Sequence, residues 1–332
     1  MKRKNNLYER ICDLNNLYSA YSKARKGKGR TYGVLYFEKD LIRNILQIQS
    51  ELLSETYRTS DYEIFKVYDP KEREIYRLPF KDRVVQHAIM NILEEIWTSI
   101  FISHTYSCIK GKGIHGVLKH LRRDLRDASG TAYCLKMDIK KFYPSIDHDI
   151  MKAIIRKKIK DVRLLDLLDG IIDSAPGVPI GNYLSQYLAN LYLSYFDHWL
   201  KEDKQVKYYY RYADDIIVLN ESKEYLHQLR VEIEQYLSAE LRLQLKSNYQ
   251  VFPIKSRGLD FVGYVFYHDH ILMRKRIKKR FCRHAAKLNK KKIPPKEYKI
   301  RLCSWLGWAK HCNSRNLIKT IIKDEEVLRL WN

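Results

Sequence analysis

The chain of 332 residues is poor in structure breakers, with 13 glycines and 8 prolines. That excludes collagen-like and low-complexity classes. No stretch of about 18 apolar residues occurs, so no membrane-spanning helix is expected. The six cysteines, at 12, 108, 134, 282, 303 and 312, include no Cys-x-x-Cys pair. Cys282 with His284, and His311 with Cys312, fit no zinc template, so isolated reduced thiols are expected. The basic start Met1–Asn6 leads into no apolar run, so no signal peptide is expected and the location is expected to be cytoplasmic. Acidic side chains are also scarce. There are 39 Asp and Glu against 62 Lys and Arg, a formal net charge of +23. Such an excess repels itself unless a polyanion is near. Nucleic acid is the first candidate, and an anionic membrane surface the second.

What is present is globular: 45% hydrophobic and 30% charged residues, with length enough for two or three packing units. The 26 tyrosines suit base stacking and sugar contacts, although many tyrosines are simply half-buried core edges. Residues 1–60 read as helices, broken at Lys26–Arg30. Two short strand-like runs, Ile64–Tyr68 and Ile75–Leu78, flank a turn containing Asp69 and Pro70. A helix is expected over 82–102, a strand over 132–138, helix over 147–173 and a long helix over 181–201. A hairpin follows over 207–219, a helix over 222–240, and strands near 249–254, 259–267 and 270–274. From Arg274 onward the chain reads as basic helix. The order is mixed α+β, without regular βαβ alternation.

Two carboxylate sites stand out. Tyr212-Ala213-Asp214-Asp215 is followed by the apolar run Ile216–Leu219. Adjacent aspartates between strands repel each other unless cations neutralise them, and Asp-Asp is a poor tight-turn former. A solvated turn is the alternative. Leu135-Lys136-Met137-Asp138-Ile139 ends a second strand on an aspartate. Side by side in one sheet, the two strands would bring Asp138 close to Asp214. Hard oxygen ligands of this kind suit Mg²⁺, and two ions about 4 Å apart would clamp the oxygens of an in-line phosphoryl transfer.

At these residues the sequence resembles reverse transcriptases, over about 62 to 318. Tyr212–Asp215 is the family's tetrad. Arg77–Gln86 is similar to the first fingers motif and Ser107–Gly113 to the second. Asp138–Tyr143 is similar to the palm motif with the first metal aspartate, Gly177–Gln186 with Ala189-Asn190 to the template motif, and Gly258–Tyr264 to the primer-grip hairpin. The resemblance implies a right-hand α+β polymerase fold: fingers, a palm of antiparallel sheet backed by helices, and a helical thumb. It implies a helical extension over 1–60, fingers over 61–131 with 150–180 returning near fingers and palm, palm over 132–257, primer-grip hairpin over 258–274 and thumb over 275–332. It implies RNA-directed DNA synthesis with catalytic Asp138, Asp214 and Asp215. Two Mg²⁺, replaceable by Mn²⁺, would be held by these aspartates and Ile139.

One departure narrows the resemblance. Most of the family has Pro-Gln-Gly where this chain has Pro179-Ile180-Gly181, and Ser-Pro where it has Ser185-Gln186. The combination resembles the reverse transcriptases of diversity-generating retroelements, which copy a template-repeat RNA with errors at adenines to diversify a target gene. The run Trp305–Ser314 points the same way. Ile180 has no polar side-chain atom, so it withholds a hydrogen bond that a glutamine could give the nascent pair. Ile180, Ser185 and Gln186 are therefore the fidelity candidates. Lys71, Arg73, Tyr143 as sugar gate, Ile180 and Gly181 are the nucleotide-binding candidates, with Arg77 and Arg83 as competitors for the triphosphate. Tyr212, Gly263, Tyr264, Arg274, Lys278 and Arg283 are the primer or template candidates. The stretch Arg274–Lys292 holds eleven Lys and Arg in nineteen residues and is expected to track a duplex backbone. Relatives place a lysine after the helix that follows the tetrad. Tyr249 stands there, leaving Lys246 and Lys255 as substitutes for a general acid.

The implied partners are template RNA, the primer or cDNA strand, dNTPs, a structured retroelement RNA and a small basic accessory variability protein that is a homo-oligomer, with no membrane. The implied location is the cytoplasm of a bacterial or phage-infected cell. A retron-type or group II intron-type enzyme of ordinary fidelity is the alternative. A non-catalytic nucleic-acid-binding protein with this fold is a further one, opposed by the intact aspartates. A retron enzyme is expected to carry Val-Thr-Gly near the thumb, and a viral RNA polymerase Gly-Asp-Asp; neither is present. Space for maturase, RNase H or integrase regions is not expected.

Overall fold

A computed structural model describes residues 2–68, 72–291, 293–323 and 328. Lys71 and the Asp69-Pro70 turn lie outside the described residues. The chain opens with α1 (Tyr8–Cys12), α2 (Leu14–Arg25), α3 (Tyr32–Glu38) and α4 (Leu41–Leu53). A hairpin of β1 (Glu63–Tyr68) and β2 (Glu72–Arg77) follows, then α5 (Phe80–Thr98) and α6 (Gly113–Asp124). The middle holds β3 (Tyr133–Asp138), α7 (His148–Arg156), α8 (Val162–Ile172), α9 (Tyr183–Tyr192) and α10 (Ser194–His198). Next come β4 (Tyr208–Tyr212), β5 (Asp215–Asn220), α11 (Lys223–Leu241), β6 (Gln250–Pro253) and α12 (Ile254–Arg257). The end holds β7 (Leu259–Phe261), β8 (Tyr264–Phe266), β9 (Ile271–Met273), α13 (Lys275–Asn289), α14 (Pro295–Ala309) and α15 (Arg315–Ile321).

The central sheet is antiparallel in the order β4-β5-β3-β6. β5 carries an unbroken apolar run, Ile216–Leu219, because both faces of the sheet are covered. Leu135, Met137, Ile216 and Val218 face a large helical core. Cys134, Ile217 and Leu219 face a second core shared with α6 and the β7–β9 sheet. The first core runs without a break from Leu7 to Leu243, so the N-terminal helices are built into the body. Asp161 is one reason. It is buried, caps α8 by accepting from Leu164 N–H at 3.3 Å, and also accepts from Leu7 N–H at 2.6 Å and Tyr8 N–H at 2.9 Å. A third core, around Phe281, Leu288 and Leu302, joins the last three helices.

Several elements differ from the sequence reading. The helix expected over 147–173 is two, because the Asp161 cap starts α8 anew. The helix expected over 181–201 breaks at Leu193 and ends in a π-turn over Trp199–Asp203. The strand expected over 259–267 is a hairpin, turned by Val262 (φ +42°) and Gly263 (φ +92°). Helix α6 was not anticipated, although Val117, Leu118, Leu121 and Leu125 mark its buried face.

Candidate active site

The sheet register brings the aspartates together. Asp138, the last residue of β3, pairs with Asp215, the first of β5. Asp214 occupies the two-residue turn between β4 and β5, and its carbonyl accepts from Ile139 N–H at 3.4 Å. Burial, reinforced by the Asp138 carboxylate, pushes the Asp214 carboxyl up to about 6. Burial raises Asp215 as well, with the Lys136 charge opposing it and Asp138 adding to it. This crowding of like charge is what cations relieve. Asp138 Oδ1 is buried without a hydrogen-bond partner, while Oδ2 accepts from the Lys246 ammonium. An orphaned buried carboxylate oxygen is uncommon and fits a site for a hard cation. Among the described residues no three His, Cys, Asp or Glu side chains form a ready-made cage. An ion here would keep positions open for water and phosphate oxygens, which is the habit of Mg²⁺.

The turn that carries Asp214 is held from below. Ala213 adopts φ +55°, a strained value for an L-residue without a glycine's freedom. Arg211 accounts for it. Its guanidinium is fully buried and donates to the Ala213 carbonyl at 3.2 Å and to Asn190 Oδ1 at 3.1 Å. The same group makes a bidentate pair with buried Asp197, at 2.8 and 2.5 Å. Tyr209 O–H donates to Asp197 at 2.6 Å and Thr105 O–H at 3.3 Å. Asn190 Nδ2 then donates to the Ser107 carbonyl at 2.8 Å, tying in the loop of the second motif. Sequence reading missed Arg211 and Asp197. The only signal was an arginine inside the strand run Tyr208–Tyr212, where a charge needs a buried partner.

The nucleotide-side candidates divide. Tyr143 is half-buried, and burial pushes its hydroxyl up to about 12, with the charges of Cys108, Asp214, Arg211 and Arg73 also acting on it. Arg73, on the outer hairpin, is thus within electrostatic reach of Tyr143. Arg77 instead pairs across the hairpin with Glu63, and Arg83 is largely buried on α5. The Ile180 carbonyl accepts from Tyr76 N–H at 2.8 Å, which joins the template motif to β2. Gly181 sits at φ +127°, and a Cβ there would lie 2.5 Å from the Tyr76 carbonyl. Asn182 Nδ2 adds a bond to Tyr62 Oη at 3.0 Å. Gln86, from the first motif, accepts from Tyr183 N–H at 3.1 Å at the start of α9, a role the sequence did not reveal.

Two candidates are corrected by burial. Ser185, a fidelity candidate, is 3% exposed and faces the core, so any effect on fidelity would run through packing rather than direct contact; Gln186 beside it is exposed. Tyr264 is 1% exposed, with its ring against Trp308 and its hydroxyl donating to the Trp308 carbonyl at 3.0 Å. It fastens the hairpin to α14 and is closed to a nucleic-acid strand. Gly263 is packed as tightly, since a Cβ would lie 2.5 Å from the Trp308 ring. Tyr212 is half-buried beside Ser107. Arg274 pairs with Asp260 at 2.5 Å, and its charge reaches Asp215. Lys278 and Arg283 are exposed on α13. Of the general-acid candidates, Lys246 alone lies in the site. Tyr249 has Arg230 stacked 4.7 Å from its ring centroid, and Lys255 is exposed on α12.

The family model for reverse transcriptase (RNA-dependent DNA polymerase) matches residues 69–266. The chain belongs to this family, and its enzyme class is RNA-directed DNA polymerase. Protein YkfC of Escherichia coli is 25% identical over 298 residues, covering 74% of this chain and 77% of that protein. The group II intron-encoded protein LtrA of Lactococcus lactis is 26% identical over 303 residues, covering 83% of this chain. The chain spans about half of LtrA, 49% of its length. The telomerase of Candida albicans, solved with a fragment of telomeric RNA, superimposes with a TM-score of 0.51 at 11% identity, covering 86% of this chain and 61% of that one. That likeness shows the right-hand polymerase fold alone. The chain is thus a reverse transcriptase, a class that works on an RNA template with nucleotides and divalent ions. Among the described residues no helix is long and apolar enough to cross a membrane.

Proposed function

We propose that this reverse transcriptase copies a template-repeat RNA into cDNA bearing errors at template adenines, for diversification of a target gene. The observation that carries the reading is Ile180. Its backbone is tied to β2 by the Tyr76 bond, and its side chain carries no polar atom where the family resemblance expects glutamine. A missing polar contact weakens discrimination by on the order of 1 kcal/mol. Gln186 on the exposed side of α9 belongs to the same pattern.

In this reading Asp138, Asp214 and Asp215, with the Ile139 carbonyl, would hold two divalent ions. Bound there, the ions would supply activation of the primer 3′-hydroxyl and charge neutralisation on the leaving pyrophosphate. The chain's own residues do the rest. Arg211 holds the Asp214 turn rigid. Tyr143 crowds the 2′ position of the sugar and selects deoxynucleotides. Arg73, with Lys71, grips the triphosphate. Gly181 lets the backbone pass against β2. Tyr212, half-buried Arg274 and the exposed cations Lys278 and Arg283 would lie along the primer–template path, and Gly263 and Tyr264 would support it by packing. Template RNA, primer and dNTPs are the substrates. A structured retroelement RNA and a small basic homo-oligomeric accessory protein would be the partners, in the cytoplasm of a bacterial or phage-infected cell.

A group II intron-type enzyme of ordinary fidelity is the second reading, favoured by the similarity to LtrA across 83% of the chain. Sequencing cDNA made by the purified protein with Mg²⁺ on a mixed-base RNA decides between them. Errors concentrated opposite adenine support the first reading, and evenly faithful product supports the second. Asp214→Asn should lower synthesis by about a thousand-fold or more while duplex binding survives. Residual full activity would overturn the metal assignment.

A further inference from the structure

Lys246 is placed against Asp138 twice over. The segment 244–246 runs antiparallel beside the end of β3, with Ile139 opposite Leu245. Lys140 N–H donates to the Gln244 carbonyl at 2.8 Å, and Lys246 N–H donates to the Asp138 carbonyl at 2.9 Å. These bonds fix the Lys246 backbone beside the aspartate. Its side chain then folds back so that the ammonium donates to Asp138 Oδ2. The two side chains are about equally open, 30% and 29% exposed. The Lys246 charge also acts on Asp214 and Asp215, so it is common to all three carboxylates.

The pair is poorly built as a structural salt bridge. A carboxylate retained for stability satisfies both oxygens, whereas Asp138 Oδ1 is buried and bonds to nothing. Lys136 and Arg274 also act on Asp215, yet Lys246 is the cation that bonds an oxygen of Asp138, and it leaves the other oxygen bare. The arrangement is that of a weak cation holding one oxygen of a site built for a stronger one.

We propose that Lys246 is a displaceable stand-in for the divalent ion: its ammonium occupies Asp138 until a metal arrives, and its departure is a condition of metal binding. The proposal rests on the reading of the three aspartates as metal ligands. The competition lowers apparent metal affinity by the fraction of molecules in which Asp138 is free. The displaced ammonium, still anchored by its backbone bonds, remains next to the site, where an incoming triphosphate offers it new acceptors. Nucleotide would then favour the metal-loaded state through Lys246, and a chain without nucleotide would hold metal weakly.

The test is Mn²⁺ titration of the full-length protein without nucleotide or nucleic acid, with free Mn²⁺ read by electron paramagnetic resonance. Lys246→Met should tighten Mn²⁺ binding about tenfold, given the strength of a hydrogen bond between charged groups. Lys246→Gln, also neutral but polar, should do the same and serves if the methionine variant folds poorly. Lys246→Arg, which restores a cation, should stay within about threefold of the parent. Lys255→Met controls for general charge loss and should change nothing. The gain should persist at about 0.5 M KCl, where long-range attraction is screened and a direct contact is not. Unchanged or weaker binding in both neutral variants would overturn the proposal while leaving the metal site standing, provided Asp138→Asn abolishes binding. If Asp138→Asn leaves Mn²⁺ binding intact, the reading of the aspartates fails and takes the proposal with it.

Discussion

The turn at Asp214 and the hairpin β1–β2 are both short antiparallel two-strand units, and they are built on opposite principles. The β4–β5 turn has apolar strands covered on both faces and a charged core beneath it, in which Arg211 and Asp197 are fully buried. The β1–β2 hairpin has no buried residue among those described, and Ile64, Phe65, Val67 and Tyr68 all lie open. Beyond its own ladder it meets the body through Tyr76 N–H on the Ile180 carbonyl and, at its base, through Tyr62 bonded to Ser174 and Asn182. The contrast teaches a division of labour. Groups that must keep their geometry through every cycle are set on a buried, over-determined base. Under the proposed function, the groups that would meet and release a nucleotide are set on an arm with little holding it, the low-stability end from which moving elements are drawn.

The contrast breaks most sharply at Arg211. Arg211→Met leaves Asp197 buried and unpaired and should cost about 3–5 kcal/mol in a urea melt. The double variant Arg211→Met/Asp197→Leu should recover part of that stability but not the activity, because the Ala213 carbonyl loses its donor. Next comes pH. His87, stacked 4.1 Å from Tyr183 at the start of α9, is pushed down to about 4 by burial and by the charges of Arg83, Lys23 and Lys28. Its depressed folded value means that the unfolded chain binds the proton first. Stability is full above about 6.5 and falls as the pH drops towards 4. His87→Phe should flatten that loss by about 2 kcal/mol, seen by comparing denaturation midpoints at the two ends of the window.

The hairpin should answer differently. Arg73→Ala should raise the KM for dNTP about tenfold, yet leave stability within about 0.5 kcal/mol, since the side chain is exposed. A melting shift as large as that of Arg211→Met would remove the distinction between base and arm. The smallest effect is expected at the join of the two regions. Ile180→Gln keeps the backbone bond to Tyr76 and restores a polar side chain. Misincorporation opposite adenine should fall about fivefold, with synthesis rate little changed, as read by product sequencing.

How much was legible in advance depended on the range of the interaction. The aspartates were legible because a carboxylate at a strand end breaks a local pattern. Arg211 broke the same pattern, but its partner lies fourteen residues earlier on another element, and no local rule pairs them. Tyr264 and Ser185 were misjudged for a related reason. The primer-grip motif suggested a strand contact for Tyr264 and the template motif a fidelity role for Ser185, while the structure buries the one against Trp308 and the other in the core. Lys246 was one of two choices until the bridge between Ile139 and Leu245 placed it on Asp138.

The sequence by itself determined the basic surface, the α+β order of elements and the pair of strand-end carboxylates, because each follows from composition or from spacing over a few residues. Only the tertiary structure decided which cations face those carboxylates, which motif residues are buried, and that the N-terminal helices share one core with the central sheet. Those outcomes depend on contacts between residues tens to hundreds of positions apart. Burial and charge pairing there are set by how the layers pack, which no short stretch of chain encodes.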